Sequence, residues 1–171
     1  ARSGLAAEAR HVRDSALLEP FVYRCDRRAG TRVQAHDPCH GDVDARLRDM
    51  AENDIYAIAR VSVFADDKAA TRWPATAVGT EGSTEVWRNN QGAAYLDPTD
   101  LASWEYPIAI AVESCERGFD EIQFDDVGFP IGGQITGSAV FDGVSTVDYF
   151  TSDEAQAARV DAVVGFLGEA R

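Results

Sequence analysis

A strand-like segment, residues 118–130 (GFDEIQFDDVGFP), ends in two adjacent carboxylates. Successive side chains of a strand point to opposite faces, so Gln123 and Asp125 share one face and Ile122 and Phe124 the other. Asp125 is therefore expected at the C-terminal end of the strand. A carboxylate there could serve as nucleophile or general base in the hydrolysis of a glycosidic bond. A polar face that is merely solvated would show the same alternation.

An arginine on an earlier predicted strand, residues 55–64 (IYAIARVSVF), is the expected partner of this carboxylate. Alternation places Arg60 and Ser62 on one face of that strand. A buried guanidinium requires an acidic partner, because an unpaired buried charge is costly. Asp125 or Glu121 could provide it, and the pair would keep Asp125 ionised, as suits a nucleophile or a charge stabiliser. A purely structural ion pair is the alternative.

Metal chemistry is a second interpretation of the same strand end. The adjacent Asp125 and Asp126 could hold a hard cation such as Mg²⁺ or Ca²⁺, although a solvated strand end has the same sequence. His36, Cys39 and His40 resemble part of a zinc site, but the second ligand cluster that such a site needs is missing. No GxSxG, Walker or GxGxxG motif occurs, so we predict neither a metal nor a cofactor.

The long segment of residues 65–97 is predicted to be a loop that supplies further site residues. Asp66 and Asp67 directly follow the predicted strand at 55–64 and could supply the second carboxylate that a glycosidase needs. Trp87 could stack on a sugar ring or simply close the mouth of the fold. Arg88 could bind sugar hydroxyls or carboxylates.

Helices and strands alternate from residue 42 onward. Asp42 is a good N-cap for a first helix, and Asp97-Pro98 is predicted to open a second, with Pro107 inside it and Gly118 as its C-cap. A third helix is expected after the Thr151 and Glu154 capping box, with a core-facing side formed by apolar residues. Those apolar residues are Val160, Val163, Val164 and Leu167.

This order predicts parallel strands joined by crossover helices. The predicted strand-to-helix loops, residues 65–97 and 128–150, are long and the helix-to-strand joints are very short, which is typical of the active face of a TIM-type (β/α) barrel. A doubly wound sheet would also place ligands at the C-terminal ends of its strands. We predict an incomplete (β/α) barrel over residues 42–171. Residues 1–41 form a poorly defined N-terminal segment, which could be an early βα unit with a helix at 6–18 and a strand at 20–26.

The three cysteines do not indicate a dense disulfide framework. Cys25 and Cys39 could pair, or all three thiols, including that of Cys115, could be free. The formal net charge of −13 argues against nucleic-acid binding and against adsorption to anionic membranes. No apolar run is long enough to span a bilayer, and no signal peptide is visible.

Three ordered motifs resemble the putative glycosyl hydrolase domain family of bacterial barrel proteins. They are residues 55–64, residues 86–104, which begin with Val-Trp-Arg and include the Asp-Pro helix start, and residues 118–130. The resemblance implies a complete (β/α) barrel, a carbohydrate substrate and an extracellular or cell-envelope location. Asp125 and Arg60 match the strand Asp and Arg of the family.

The resemblance also extends to the loop pair, where Trp87 and Arg88 match. The sequence departs from the family pattern at Asp126, where a Tyr is usual, at Gly128, where an Arg is usual, and at Pro107. A complete barrel needs about 250 residues, so we expect the chain to be part of a longer barrel and to be inactive alone if the general acid follows Arg171.

We therefore predict a glycoside hydrolase that acts on a polysaccharide, with Asp125 as nucleophile or base. The alternatives are a truncated barrel that binds carbohydrate without hydrolysis and a metal-dependent hydrolase that uses Asp125 and Asp126. The sugar, the linkage and the oligomeric state are not indicated. The predicted catalytic residues are Asp125, Asp66 and Asp67. The predicted substrate contacts are Arg60, Trp87, Arg88, Gln123 and Asp126.

Overall fold

The computed structural model describes residues 21–25, 42–146 and 149–171. Four helices and five short strands follow one another along these residues. They are β1 (Phe21–Arg24), α1 (Val43–Glu52), β2 (Ile58–Ser62), α2 (Asp67–Arg72), a 3-10 turn (Pro74–Thr76), β3 (Gly79–Thr80), α3 (Leu101–Arg117), β4 (Glu121–Asp125), β5 (Ala139–Val140) and α4 (Asp153–Glu169).

The central strand of a three-stranded sheet is β4, with β1 and β2 on either side. The strand β1 runs antiparallel to β4, and Arg24 lies opposite Glu121. Backbone hydrogen bonds join Asp120 N to Ala57 O at 2.8 Å and Phe64 N to Asp126 O at 3.4 Å. These contacts occur in the same order along both segments, so β2 and β4 are parallel.

The predicted TIM-type barrel is wrong for the part of the chain that the structure describes. Those residues form the three-stranded sheet and a separate antiparallel pair, β3 with β5, with no barrel and no repeated βα alternation. The alternation of strand and helix over β2, α3 and β4 correctly indicates that β2 and β4 are parallel, but it does not specify whether further strands close a barrel. The edge of β4 that is not paired with β2 is paired with the antiparallel β1.

The two predicted long loops contain short elements that the sequence pattern did not indicate. Residues 65–97 hold α2, the 3-10 turn and β3, and residues 128–150 hold β5. Elements of two to six residues are too short to show a helical or strand periodicity. The long strand-to-helix loops are therefore partly folded segments.

The first of two compact units consists, among the described residues, of 21–25, 42–61, 108–125 and 171. Its core includes the apolar faces of β2 and β4, which alternate with polar faces as predicted. The N-cap of α1 is Asp42, whose Oδ1 accepts from Ala45 N at 2.9 Å, also as predicted. At the end of α3, Gly118 adopts a φ of +110°, which favours glycine.

A disulfide joins Cys25, which follows β1, to Cys115 in α3. The suggested pairing of Cys25 with Cys39 is therefore wrong. The alternative of three free thiols is also wrong, because Cys25 and Cys115 are bonded to each other. Sequence spacing could not indicate this bond, because Cys25 and Cys115 are 90 residues apart and approach through the fold.

The second unit consists of residues 62–107, 126–146 and 149–170. Its main core cluster is formed by Val78, Trp87, Ile135, Ala139, Phe141, Val144, Tyr149 and Ala155. Phe64, Trp104 and Phe166 pack edge to face, with centroid distances of 5.3 Å and 6.0 Å from Phe166 to the other two rings.

Two details of α4 correct the sequence-based expectation. Its N-cap is Ser152, whose hydroxyl accepts from Ala155 N at 3.3 Å, where Thr151 was expected. Val160 and Val164 are exposed, while Phe166 is fully buried, so the core-facing side is rotated from the predicted one. The aromatic ring of Phe166 fills the space between Phe64 and Trp104. The prediction of the core-facing side used only aliphatic residues and therefore missed Phe166.

The predicted helix at 6–18 and the group His36, Cys39 and His40 lie outside the described residues. Among the helices that are described, none is long and apolar enough to cross a membrane.

Candidate functional site

The C-terminal end of β4 carries an ion pair that joins it to β2. Arg60 Nη2 donates a hydrogen bond to Asp125 Oδ2. The Asp125 side chain is 31% exposed and that of Arg60 is 68% exposed, so solvent reaches both groups. Of the two partners considered for Arg60, the structure confirms Asp125.

Glu121 has different neighbours at the other end of the same face. Its Oε2 accepts a hydrogen bond from the Tyr56 hydroxyl at 3.0 Å and lies 4.0 Å from Arg24 Nε. Four residues of strand separate Glu121 from Asp125, which corresponds to about 13 Å. Gln123 lies between them on this face and is partly exposed.

Asp126 ends the strand because its backbone leaves the extended region. Its φ is +53°, in the left-handed region that Asp and Asn tolerate better than most residues. Its carbonyl accepts from Gly128 N at 3.0 Å, and its carboxylate accepts from the Ser62 hydroxyl at 3.0 Å. The turn therefore brings the Asp126 carboxylate to Ser62, which shares a face of β2 with Arg60, the partner of Asp125.

The other predicted carboxylates, Asp66 and Asp67, begin α2. Asp66 is the N-cap, and its Oδ1 accepts from Ala69 N at 2.9 Å. Asp67 Oδ1 accepts from Arg88 Nη1 and, at 3.1 Å, from Ala94 N. The hydrogen bond from Arg88, and then that from Ala94, lower the pKa of Asp67 below its ordinary value of 3.8. Asp67 is thus held as a carboxylate, which is unfavourable for a proton donor.

Arg88 donates two further hydrogen bonds within the fold. Nη1 also donates to the Gly92 carbonyl at 2.7 Å, and Nη2 donates to the Thr71 hydroxyl at 3.1 Å. Arg88 therefore joins its own loop to α2 at several points. Its predicted contact with substrate stays a prediction.

Trp87 is a core side chain of the second unit. It is 4% exposed, and its indole Nε1 donates to the Ser138 hydroxyl at 3.1 Å. A Cβ on Gly133 would approach the ring to 3.0 Å, so the ring is closely covered. Trp87 therefore packs in the core, whereas the sequence suggested either a sugar contact or a side chain that closes the mouth of the fold.

Asp97 is a buried carboxylate that the sequence marked only as a helix cap. It is 3% exposed, and α3 begins four residues later at Leu101. Oδ1 accepts from Thr99 N at 2.8 Å and from the Thr99 hydroxyl at 2.7 Å. Oδ2 accepts from Asp142 N at 2.8 Å. Burial raises the pKa of Asp97 above 3.8, and these hydrogen bonds oppose that rise.

The function of Asp97 is to join the start of α3 to the segment after β5. Gly143 N reinforces this link by donating to the Thr99 hydroxyl at 2.9 Å. The Asp-x-Thr spacing is a local signal for the Asx turn, but the contact with Asp142 could not be read from it.

No group of three or more His, Cys, Asp and Glu side chains suited to a metal occurs among the residues that the structure describes. Asp125 instead faces a guanidinium and Asp126 a hydroxyl. The structure therefore pairs four of the predicted site residues: Asp125 with Arg60, which was considered from the sequence, and Asp67 with Arg88, which was not.

The geometry defines a small α/β chain with a solvent-accessible Arg–Asp pair at a strand end. The sequence profile of the putative glycosyl hydrolase domain family matches residues 21–171, and the chain belongs to this family. The match begins at β1 and extends through α4, beyond the motifs that first suggested it.

The chain is also similar to the crystal structure of a hypothetical protein from Ruminiclostridium thermocellum ATCC 27405. The TM-score is 0.63 and the sequence identity is 29%, over 83% of this chain and 70% of the other. Comparison with curated proteins finds no match.

Proposed function

We propose that the chain contributes the nucleophile or general base of a glycoside hydrolase that cleaves glycosidic bonds in a polysaccharide, and that this group is Asp125. Membership of the putative glycosyl hydrolase domain family supports the reaction class. The arrangement at the end of β4 supports the choice of residue. Arg60 and Gln123 are the proposed substrate contacts on the same sheet face.

The observation that carries the proposal is the accessible ion pair of Arg60 and Asp125. The guanidinium fixes the direction of the carboxylate and balances its charge through Oδ2. Among the described residues, no hydrogen bond to Oδ1 of Asp125 is formed. An oriented, charged oxygen with solvent access can attack an anomeric carbon or remove a proton from water.

The proposed reaction also needs a proton donor for the leaving oxygen. Glu121 is about 13 Å from Asp125 along the strand, beyond the roughly 5–9.5 Å that separates the paired carboxylates of glycosidases. Asp67 is held ionised by Arg88 and Ala94 N. Asp66 caps α2 through Oδ1, and its role as proton donor stays a prediction.

The test is the release of new reducing ends from a panel of polysaccharides by the wild type and by Asp125→Asn. Because asparagine keeps the size of the side chain but removes its charge, we expect a loss on the order of 10²–10⁴-fold. Equal activity in both proteins would refute the assignment of Asp125. Wild-type protein that cleaves none of the panel would refute hydrolysis by this chain.

A second candidate function, carbohydrate binding without hydrolysis, is favoured by a separate observation. Neither Glu121, by distance, nor Asp67, by its lowered pKa, suits the role of proton donor. In that case the chain would be retained by a polysaccharide and would release no product, and Asp125→Asn would leave the retention unchanged.

A further inference from the structure

Two exposed aromatic side chains form a surface pair in the second unit. Trp73, directly after α2, is 43% exposed, and Tyr106 in α3 is 36% exposed. Their ring centroids are 4.9 Å apart at an interplanar angle of 58°. Single exposed apolar residues are ordinary, but a tryptophan and a tyrosine in mutual contact form a larger apolar surface with polar edges.

The backbone that carries both rings is well held. Trp73 N donates to Ala69 O at 2.9 Å, and the carbonyl of Trp73 accepts from Thr76 N and from the Thr76 hydroxyl, both at 3.0 Å. Tyr106 lies inside the 17-residue helix α3. A surface that is already ordered loses little conformational entropy when a ligand binds to it.

The polar edges of the pair have donors to offer. Within the described part of the chain, neither the indole N–H of Trp73 nor the hydroxyl of Tyr106 donates a hydrogen bond. Burial, and then the negative charge of Asp66, raise the pKa of the Tyr106 hydroxyl above 10.0, so it stays protonated near neutral pH.

We propose that Trp73 and Tyr106 form a binding surface for a neutral saccharide. A sugar ring has an apolar face of C–H groups and a rim of hydroxyls, which matches aromatic faces bordered by N–H and O–H groups. Family membership makes saccharide the expected ligand class. The net charge of −13 disfavours acidic polymers, which selects neutral ones.

This surface is independent of the role assigned to Asp125. A failure of hydrolysis would leave the saccharide-binding proposal standing, and a failure of binding would leave the assignment of Asp125 to be tested by its own variant. The two proposals therefore need separate measurements.

The first measurement is electrophoretic retardation in native gels that contain xylan, galactomannan, laminarin or pullulan. All proteins carry Asp125→Asn, so that the gel matrix is not degraded. We expect retardation by at least one polymer, and roughly tenfold weaker binding after Trp73→Ala or Tyr106→Ala. Phe150→Ala is the matched control, because Phe150 is an exposed aromatic residue, 72% accessible, without a polar edge.

The second measurement uses fluorescence. Of the three tryptophans, Trp87 and Trp104 are buried and Trp73 is exposed. Saccharide binding should therefore shift the emission of Trp73, and Trp73→Phe should abolish the shift. Trp73→Phe and Tyr106→Phe keep a ring and remove one donor, so they give the comparison if either alanine variant fails to fold, and each should be retarded less than its parent.

The proposal is overturned if no polymer retards the parent protein, if the folded Trp73 and Tyr106 variants are retarded as strongly as the parent, or if Phe150→Ala loses as much binding. A concentration-dependent dimer that Trp73→Ala dissociates would also overturn it, because the surface would then be a contact between two copies of the chain.

Discussion

The two compact units use Asp–Arg pairs of the same chemistry in different ways. In the first unit, Asp125 meets only the Arg60 guanidinium among the described residues. In the second, Asp67 also accepts a backbone N–H, and Arg88 also binds a carbonyl and a hydroxyl. The second pair holds a loop to α2 through Asp67 Oδ1, whereas the first pair makes no contact with a backbone donor in the described part of the chain; the Asp67 side chain is nevertheless the more exposed of the two carboxylates, at 53% against 31%.

The same contrast exists within the segment around β4. Asp120, just before the strand, is buried and accepts from Ala57 N at 2.9 Å, while Asp125, at its end, accepts no backbone N–H among the described residues. A carboxylate that satisfies backbone donors stabilises the fold, because those donors would otherwise be left unpaired. A carboxylate that meets only a guanidinium near solvent is available for chemistry.

The largest expected effect on stability concerns the covalent link of the first unit. Cys115→Ser removes a disulfide that spans 90 residues, which should lower the free energy of unfolding by up to about 4 kcal/mol. Thermal unfolding measures the loss, and hydrogen exchange should rise most in β1. Cys39→Ser is the control, with no expected loss. A disulfide-linked peptide that contains Cys39 in place of Cys115 would contradict the structure.

A smaller loss is expected when the second unit loses its buried carboxylate. Asp97→Ala leaves the N–H groups of Thr99 and Asp142 without their acceptor, so the free energy of unfolding should fall by about 3 kcal/mol. Hydrogen exchange should increase at the start of α3 and around Gly143. The comparison between the units fails if this variant loosens β1 more than it loosens the start of α3.

The smallest effect is a difference in the pH dependence of stability. Burial raises the pKa of Asp97, so stability is lost as the pH rises from 3.8 through the folded-state pKa. The hydrogen bonds from Arg88 and Ala94 lower the pKa of Asp67, so its contribution is present above 3.8 and lost as the pH falls below that value. Ionisation of Asp97 above pH 3.8 therefore lowers the stability of the fold, whereas protonation of Asp67 below pH 3.8 lowers it.

Melting temperatures of the wild type, Asp97→Asn and Asp67→Asn from about pH 2 to pH 7 test this difference. In Asp97→Asn, the melting temperature should no longer show the part of its decline that occurs as the pH rises above 3.8. In Asp67→Asn, it should no longer show the part of its decline that occurs as the pH falls below 3.8. The same change of slope in both variants would show that the two environments do not differ as described.

The sequence predicted that Asp125 or Glu121 would pair with Arg60, because this depends on strand alternation and on two strands that are neighbours, and the structure selects Asp125. It also predicted the cap at Asp42 and the end of α3 at Gly118, which are local features. The burial of Trp87, the contact of Asp67 with Ala94 N and the Cys25–Cys115 disulfide depend on how distant segments fold back, and no local pattern encodes them. The barrel prediction failed for the same reason, since β1 pairs antiparallel with β4.

The central claim is that Asp125 is the chemically available carboxylate and Asp67 a structural one. The most direct test compares kcat/KM for Asp125→Asn and Asp67→Asn on the polysaccharide that the wild type cleaves best. We predict a loss on the order of 10²–10⁴-fold for Asp125→Asn, and a loss of about tenfold or less for Asp67→Asn. An unchanged Asp125→Asn, or an equal or larger loss in Asp67→Asn, would contradict the account.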